Sequence, residues 1–282
     1  MTECILVSDL HGRTDRYEKL FKIILETSPD AVFIGGDILP HLASDGPPGN
    51  FVTDYLFGKL SGLRYAMGVD FPSIFIIPGN DDGRAVEADL RSSSGKGLII
   101  YVHGRKVSFS DWSVYGYAYT PPSPFMLKDW ERYDVSRFTD PGCVSPEEGR
   151  YSAPIPEDEK RFETIAGDLV SLTGEDDLKG AVFLFHAPPY KTALDRAALD
   201  GRMIDGIPMD VNVGSIAIRR FIEERQPLIT MHGHIHESAR LSGSWKDRIG
   251  RTTMLSAAHD GPELAVVKFT LEDPGSPSRE LI

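Results

Sequence analysis

Short unbroken apolar runs alternate along this chain with segments whose apolar residues recur every three or four positions. The first run, "CILVSD", has the length of a strand covered on both faces and ends in the polar pair Ser8-Asp9. From Thr14 the stretch "TDRYEKLFKIILETSPD" sets Tyr17, Leu20, Phe21, Ile24 and Leu25 at helical spacing, with Thr14 or Asp15 expected as the cap and Pro29 as the stop. "AVFIGGD" predicts a second buried strand, a helix is expected from about Phe51 to Met67, and "SIFIIPGN" predicts a third strand. Strands alternating with helices predict an α/β fold whose sites form at the carboxyl ends of the strands.

The middle of the chain reads differently. "LIIYV", "KVSFS" and "WSVYGY" are short, aromatic and β-branched with no helix between them, and predict an antiparallel or mixed portion of sheet. From Ala118 to about Glu159 the chain is too rich in Pro, charge and aromatic residues for a simple connection, and it predicts a functional lid or a mobile insertion. Helical periodicity returns in "EKRFETIAGDLVSL", "AVFLFHAPP" is a buried strand ending at His186, and "SIAIRRFIEER" is a helix with Ser215 as its cap. "PLITMHGHIH" is a further strand, and "TTMLSAAHDGPELAVVKFTL" reads as two strands joined by an Asp-Gly-containing turn. The expected organisation is a single domain over 1–270, with the irregular insertion at about 118–159 and a loose tail at 271–282.

Composition narrows the function classes. The formal charge of -12 argues against holding nucleic acid through a general basic surface, although a locally basic pocket built from Arg84, Lys128, Arg132 or Lys191 stays open. With only Cys4 and Cys143 there is no disulfide framework and no thiolate zinc site, which fits a reducing cytosol. The N-terminus has no basic segment followed by a long apolar core, and no apolar run approaches the roughly 18 residues of a membrane span. A cytoplasmic protein without a membrane partner is the expectation.

The chemistry collects at the strand ends: "SDLHG" supplies Asp9 and His11, "GGDILP" Asp37, "PGNDD" Asn80, "FHAPP" His186 and "HGHIH" His234 and His236. Taken singly, Asp9, Asp37 and Asn80 read as turn formers or caps and His186 as a hydrogen-bonded core histidine. The alternating imidazoles of His232, His234 and His236 bring a tight loop no structural gain, and recurrence at successive strand ends favours metal ligation. Mixed oxygen and nitrogen donors suit Mn, Fe, Ni or Zn. The seven side chains exceed the needs of one ion with an open position, so two divalent ions sharing a carboxylate are the economical reading.

In this order, DxH, GD, GN, a strand-end His and GHxH resemble the calcineurin-like metallophosphoesterase superfamily, from Asp9 to His236. The resemblance implies an α/β four-layer sandwich of two mixed β-sheets flanked by helices. It also implies that Asp9, His11, Asp37 and His236 hold one metal and that Asp37, Asn80, His186 and His234 hold the other, with Asp37 as the bridge. His232 is not a ligand in that pattern. The implied reaction is attack by a metal-held hydroxide on phosphorus, in line with the leaving oxygen.

The chain departs from the family at "GNDD". Asp81 stands where most relatives carry a His that contacts the phosphate and helps protonate the leaving group, and Asp82 matches the acid that orients that His. An ionised Asp81 repels a phosphomonoester dianion more than a diester monoanion, so Asp81 and Asp82 are the expected catalytic positions and a phosphodiesterase is the expected activity. His41, His103 and His259 are candidates for the missing imidazole. The alternatives are a phosphomonoesterase or nucleotide phosphatase, and a catalytically weak scaffold that binds partners; the expected substrate is a small phosphoester or nucleotide.

Overall fold

A computed structural model of the chain describes residues 1–40 and 51–282. Its described residues form an α/β sandwich of two mixed six-stranded sheets flanked by helices. The first sheet contains β1 (Glu3–Val7), β2 (Ala31–Gly35), β3 (Ser73–Ile77), β4 (Ile100–Tyr101), β13 (Ala265–Thr270) and β14 (Ser278–Leu281), in the order β14-β13-β1-β2-β3-β4. The second contains β5 (Arg105–Phe109), β6 (Trp112–Tyr117), β7 (Ala181–Phe185), β10 (Ile229–His232), β11 (Lys246–Ile249) and β12 (Thr252–Ser256), in the order β11-β12-β10-β7-β6-β5. A small hairpin, β8 (Met203–Ile204) with β9 (Ile207–Pro208), stands apart.

Alternation along the central strands explains why both faces are apolar. In β1, Cys4 and Leu6 face the core between the sheets while Ile5 and Val7 face the helical layer, and β2 and β3 repeat this with Phe33 and Phe75 inward and Val32, Ile34, Ile74 and Ile76 outward. Phe33 stacks on Phe75 with ring centroids 5.1 Å apart, and Phe75 meets Phe109 of the opposite sheet edge-on at 5.3 Å. On the outer face α1 (Thr14–Thr27) buries Tyr17, Leu20, Phe21 and Ile24 as its periodicity predicts, but Leu25 is exposed and Ile23 is buried in its stead. α2 (Phe57–Met67) continues a π-helical turn, Phe51–Leu56, and covers the same layer with Leu60 and Leu63. α3 (Glu87–Gly95) follows the β3 loop, and no helix among the described residues is long and apolar enough to cross a membrane.

Several local expectations are corrected. Arg13, not Thr14 or Asp15, is the residue before α1, and it makes no side-chain cap; its backbone amide bonds to Leu10 O in the turn that enters the helix. The periodic stretch after residue 156 is two helices, α4 (Glu157–Phe162) and α5 (Ile165–Thr173), because Glu163 and Thr164 are extended and Thr164 caps α5 by accepting the Gly167 amide at 3.1 Å. Ser215 does cap α6 (Ile216–Arg225), accepting from Ile218 N, and α7 (Ser238–Ser242) is a single short turn after the last ligand loop. β12 and β13 are not partners: the Asp-Gly segment carries the chain from one sheet to the other. Residues 271–282 are not loose, because "DPGSPS" forms a turn that lets β14 pair antiparallel with β13, and Ile282 and Leu264 exchange two backbone bonds.

The segment from Ala118 to Glu159 is irregular but packed. Trp130, Lys128, Asp129 and Glu131 are buried within it, and Lys128 pairs with Glu131 out of contact with water. Asp129 accepts the Arg84 amide at 2.8 Å and the Ser152 amide at 2.9 Å, so the insertion is bolted to the loop after β3. Its length reflects a local polar core in place of regular elements.

Candidate metal centre

Five parallel strands, β1, β2 and β3 in one sheet and β7 and β10 in the other, end on the same side of the sandwich and carry the predicted ligands. The ladders run on past the strand ends. Asp9 N bonds to Gly36 O at 3.0 Å, His11 N to Asp37 O at 2.7 Å and Gly233 N to His186 O at 3.0 Å, so neighbouring ligand loops travel side by side. Asp9, His11, Asp37 and His234 all take left-handed backbone, with φ of 57°, 47°, 51° and 74°. That conformation costs a non-glycine residue about 1–2 kcal/mol, and it persists here because the extended ladders hold it.

Donor atoms of Asp9, His11, Asp37 and His236 lie within 4.8 Å of one another. Within this group His236 Nε2 is 3.3 Å from Asp9 Oδ1, His11 Nε2 is 3.8 Å from Asp37 Oδ2, and the two Nε2 atoms approach to 3.2 Å. The other expected ligands gather on the far side of Asp37: His186 Nε2 lies 3.5 Å from Asp37 Oδ2 and 3.0 Å from Asn80 Oδ1, and the rings of His186 and His234 are 5.1 Å apart. Asp37 therefore faces both halves of the cluster.

The donor set fits a pair of cations. Asp9 Oδ2 is buried with no hydrogen-bond partner, the kind of acceptor an interior leaves unsatisfied only where another group takes it up. His186 donates Nδ1–H to Gly35 O at 2.7 Å, which turns the ring so that Nε2 faces the oxygens of Asn80 and Asp37, where a cation would take the place of its proton. His232 has both ring nitrogens engaged, by Ala187 O and by Thr230 Oγ1 at 2.8 Å each, and stacks on Phe185; it is a core histidine and no ligand.

Electrostatics show the same coupling. Against the cost of burial, the hydrogen bond and charge of His236 hold Asp9 down at about 2, and Asp37 is held low by His186 and His11. Burial would lower His186 and His236, but the Asp37 carboxylate beside the first and the Asp9 carboxylate beside the second lift each to about 9. Burial and the His186 charge push His234 down to about 3. Two acids and two imidazoles thus neutralise one another in pairs that a cation would replace.

Asp82 corrects an expectation. Its carboxylate is fully buried and accepts the amides of Ile38, Leu39 and Gly79 at 2.8–3.1 Å, which ties the loop of Asp37 to the loop of Asn80. Burial and the charge of Asp37 push it up to about 8, against those three amides. Its oxygens are committed to backbone, so it is a loop brace and not an orienting acid for Asp81. Asp81 stands at the rim with its side chain 31% exposed; Oδ1 accepts Asn80 Nδ2 at 3.1 Å and Oδ2 lies 3.8 Å from His11 Nδ1.

Neither described candidate for the substitute imidazole is among the groups that meet Asp81. His103 is buried among Tyr101, Tyr117, Tyr119 and Trp130, its Nδ1 accepting the Ala118 amide, and burial pushes it down to about 3. His259 pairs with Glu263 at 3.0 Å, and His41 lies outside the described residues. Of the basic candidates, Arg84 and Arg132 bond to Glu159 and Lys128 pairs with Glu131, so these three are committed within the fold, while the exposed Lys191 lies over the Tyr190 ring. Sequence reasoning missed Arg16, whose buried guanidinium holds Asp9 O at 2.6 Å and Gly261 O at 2.7 Å. It lies outside the apolar stripe that the sequence marks on α1, so only its contact with Gly261 across the fold shows that it is buried.

A model of the calcineurin-like phosphoesterase family matches residues 4–238, from β1 through the last ligand loop. The chain belongs to the calcineurin-like phosphoesterases. An uncharacterized protein of Methanocaldococcus jannaschii is 37% identical over 96 residues, a match that spans 33% of this chain and only 37% of that relative's length. Two solved structures share the fold at low identity. A Thermus thermophilus protein superposes with a TM-score of 0.58 at 16% identity, covering 99% of this chain and 98% of that one. A phosphopantetheinyl hydrolase of Mycobacterium tuberculosis superposes with a TM-score of 0.55 at 14% identity, covering 91% and 89%. This family membership and the clustered donors make the strand-end loops the candidate site.

Proposed function

We propose that this protein is a dinuclear metal-dependent phosphodiesterase. The observation that carries the reading is the convergence of Asp9, His11, Asp37, Asn80, His186, His234 and His236 around the single carboxylate of Asp37. Asp9, His11, Asp37 and His236 would hold one ion, and Asp37, Asn80, His186 and His234 the other, with Mn, Fe, Ni or Zn matching the donors. When bound, a pair of divalent ions activates water near neutral pH and neutralises charge on the phosphoryl oxygens.

The chain's own contribution is position and exclusion. The left-handed turns at Asp9, Asp37 and His234 aim donors inward, and Asp82 fixes the spacing of the Asp37 and Asn80 loops, so little reorganisation is left for the reaction. His236, with 35% of its side chain exposed, and Asp81 mark the open side on which a substrate arrives. The Asp81 carboxylate there opposes a second negative charge on the substrate and supplies no proton, which favours diesters and good leaving groups.

The test is kcat/KM of the metal-loaded protein for bis-p-nitrophenyl phosphate against a simple alkyl phosphomonoester. The diester is expected to be the better substrate by at least about tenfold, the ratio that about 1.4 kcal/mol of charge repulsion produces. Faster turnover of the alkyl monoester contradicts the diesterase assignment.

A further inference from the structure

Resting on the dinuclear reading, we infer that Asp81 is a positioning residue for the metal ligands His11 and Asn80, and that this chain has exchanged the family's substrate-facing imidazole for an acid that organises the centre. Three contacts converge on this one residue. Oδ2 lies 3.8 Å from His11 Nδ1, Oδ1 accepts the Asn80 side-chain amide at 3.1 Å, and the Asp81 backbone amide donates to Asp37 Oδ1 at 2.9 Å.

Each contact acts on how a donor is presented. His11 points Nε2 at Asp37 and His236, so a carboxylate beside its other nitrogen favours the tautomer with hydrogen on Nδ1 and the lone pair on Nε2. Gly35 O orients His186 by a direct hydrogen bond at 2.7 Å, whereas Asp81 Oδ2 stands 3.8 Å from His11 Nδ1 and acts through its charge. The bond from Asn80 Nδ2 fixes the amide so that Oδ1 faces His186, where a flipped amide would offer hydrogens instead. His11 and Asn80 belong to opposite halves of the cluster and Asp37 lies between them, so Asp81 touches both proposed metal sites and their bridge. An imidazole at position 81 has one lone pair when neutral and cannot serve both Nδ1–H of His11 and the amide of Asn80.

The test is direct metal binding by the full chain. Metal-free wild type, Asp81→Asn, Asp81→Ala and Asp81→His are titrated with Mn and with Zn against a chromophoric chelator, and the unfolding midpoint of each metal-free protein is recorded alongside. Wild type is expected to bind two ions. Asp81→Ala and Asp81→His are expected to bind at least one of them about 10–100-fold more weakly, the usual cost of losing a ligand's orienting partner, with Asp81→Asn between because it keeps an acceptor for Asn80. Unchanged affinities in Asp81→Ala and Asp81→His overturn the inference while leaving the dinuclear reading intact. A wild type that binds no ion overturns both. Weaker binding matched by an equal fall in the metal-free midpoint of every variant assigns Asp81 to the fold and overturns the positioning role.

Discussion

A Cβ placed on Gly79 would lie 2.3 Å from Asp37 Oδ1, so the backbone after β3 and the carboxylate after β2 adjoin with no room for a methyl group. The same Cβ would meet His186 Cε1 at 2.7 Å, which places the glycine of "GN" against two proposed ligands at once. Gly233 repeats the arrangement, its Cβ falling 1.9 Å from Ser8 Oγ and 2.8 Å from Asp9 Oδ2. These glycines are present because loops from both sheets meet at one point.

Gly79→Ala is therefore expected to push the Asn80 loop away from Asp37 and to weaken metal binding by about tenfold or more, as loss of ligand orientation does elsewhere. Chelator competition on the folded variant checks this, and wild-type affinity would refute the packing argument.

Asp82→Asn sets an NH2 group against amides that now meet two carboxylate oxygens. At least one buried N–H donor then loses its acceptor, at a cost of about 1–3 kcal/mol. Denaturant unfolding of the metal-free variant is expected to show that loss. A catalytic Asp82 would instead lower kcat at wild-type stability.

His103 supplies a pH dependence away from the metal centre. Burial first, then the charges of Arg132, Arg84 and Arg91, hold it at about 3. Unfolded, it titrates near 6.5, so as pH falls below about 6.5 the unfolded chain binds a proton that the folded chain refuses. Its contribution to stability is steady above that pH and falls by up to about 1.4 kcal/mol per pH unit down to about 3. His103→Asn, which keeps an acceptor for the Ala118 amide, is expected to flatten that slope when unfolding midpoints are compared from pH 7 to 4.

The insertion is predicted to depend on its buried ion pair. Glu131→Gln leaves the Lys128 ammonium, which also donates to Ser123 O at 2.8 Å, without its counter-charge in a dry site. Breaking such a pair on one side costs about 3–5 kcal/mol, so limited proteolysis is expected to cut within 118–159 far sooner in the variant.

Much of the fold was legible because it rests on local patterns. The β1, β2 and β3 runs are apolar on both faces, and α1 shows its stripe at Tyr17, Leu20 and Ile24. The clustered donors were legible because their motifs lie at strand ends, most of them beside a glycine that marks a turn. What escaped depended on contacts across long separations. Asp82 reads as an acid in a motif until Ile38 and Leu39 are seen to claim its oxygens, and Arg16 reads as a surface residue until Gly261 is folded against it. The tail misled because "DPGSPS" has the same composition whether it frays or turns, and only the pairing of β14 with β13 distinguishes the two.

The most direct test of the dinuclear phosphodiesterase is hydrolysis of bis-p-nitrophenyl phosphate by metal-free protein titrated with zero to three equivalents of Mn, Ni, Zn or Fe, beside Asp37→Ala treated identically. The account predicts activity that rises to a plateau at two equivalents and stays at background in Asp37→Ala. Full activity without metal, or activity that survives the loss of Asp37, would contradict it.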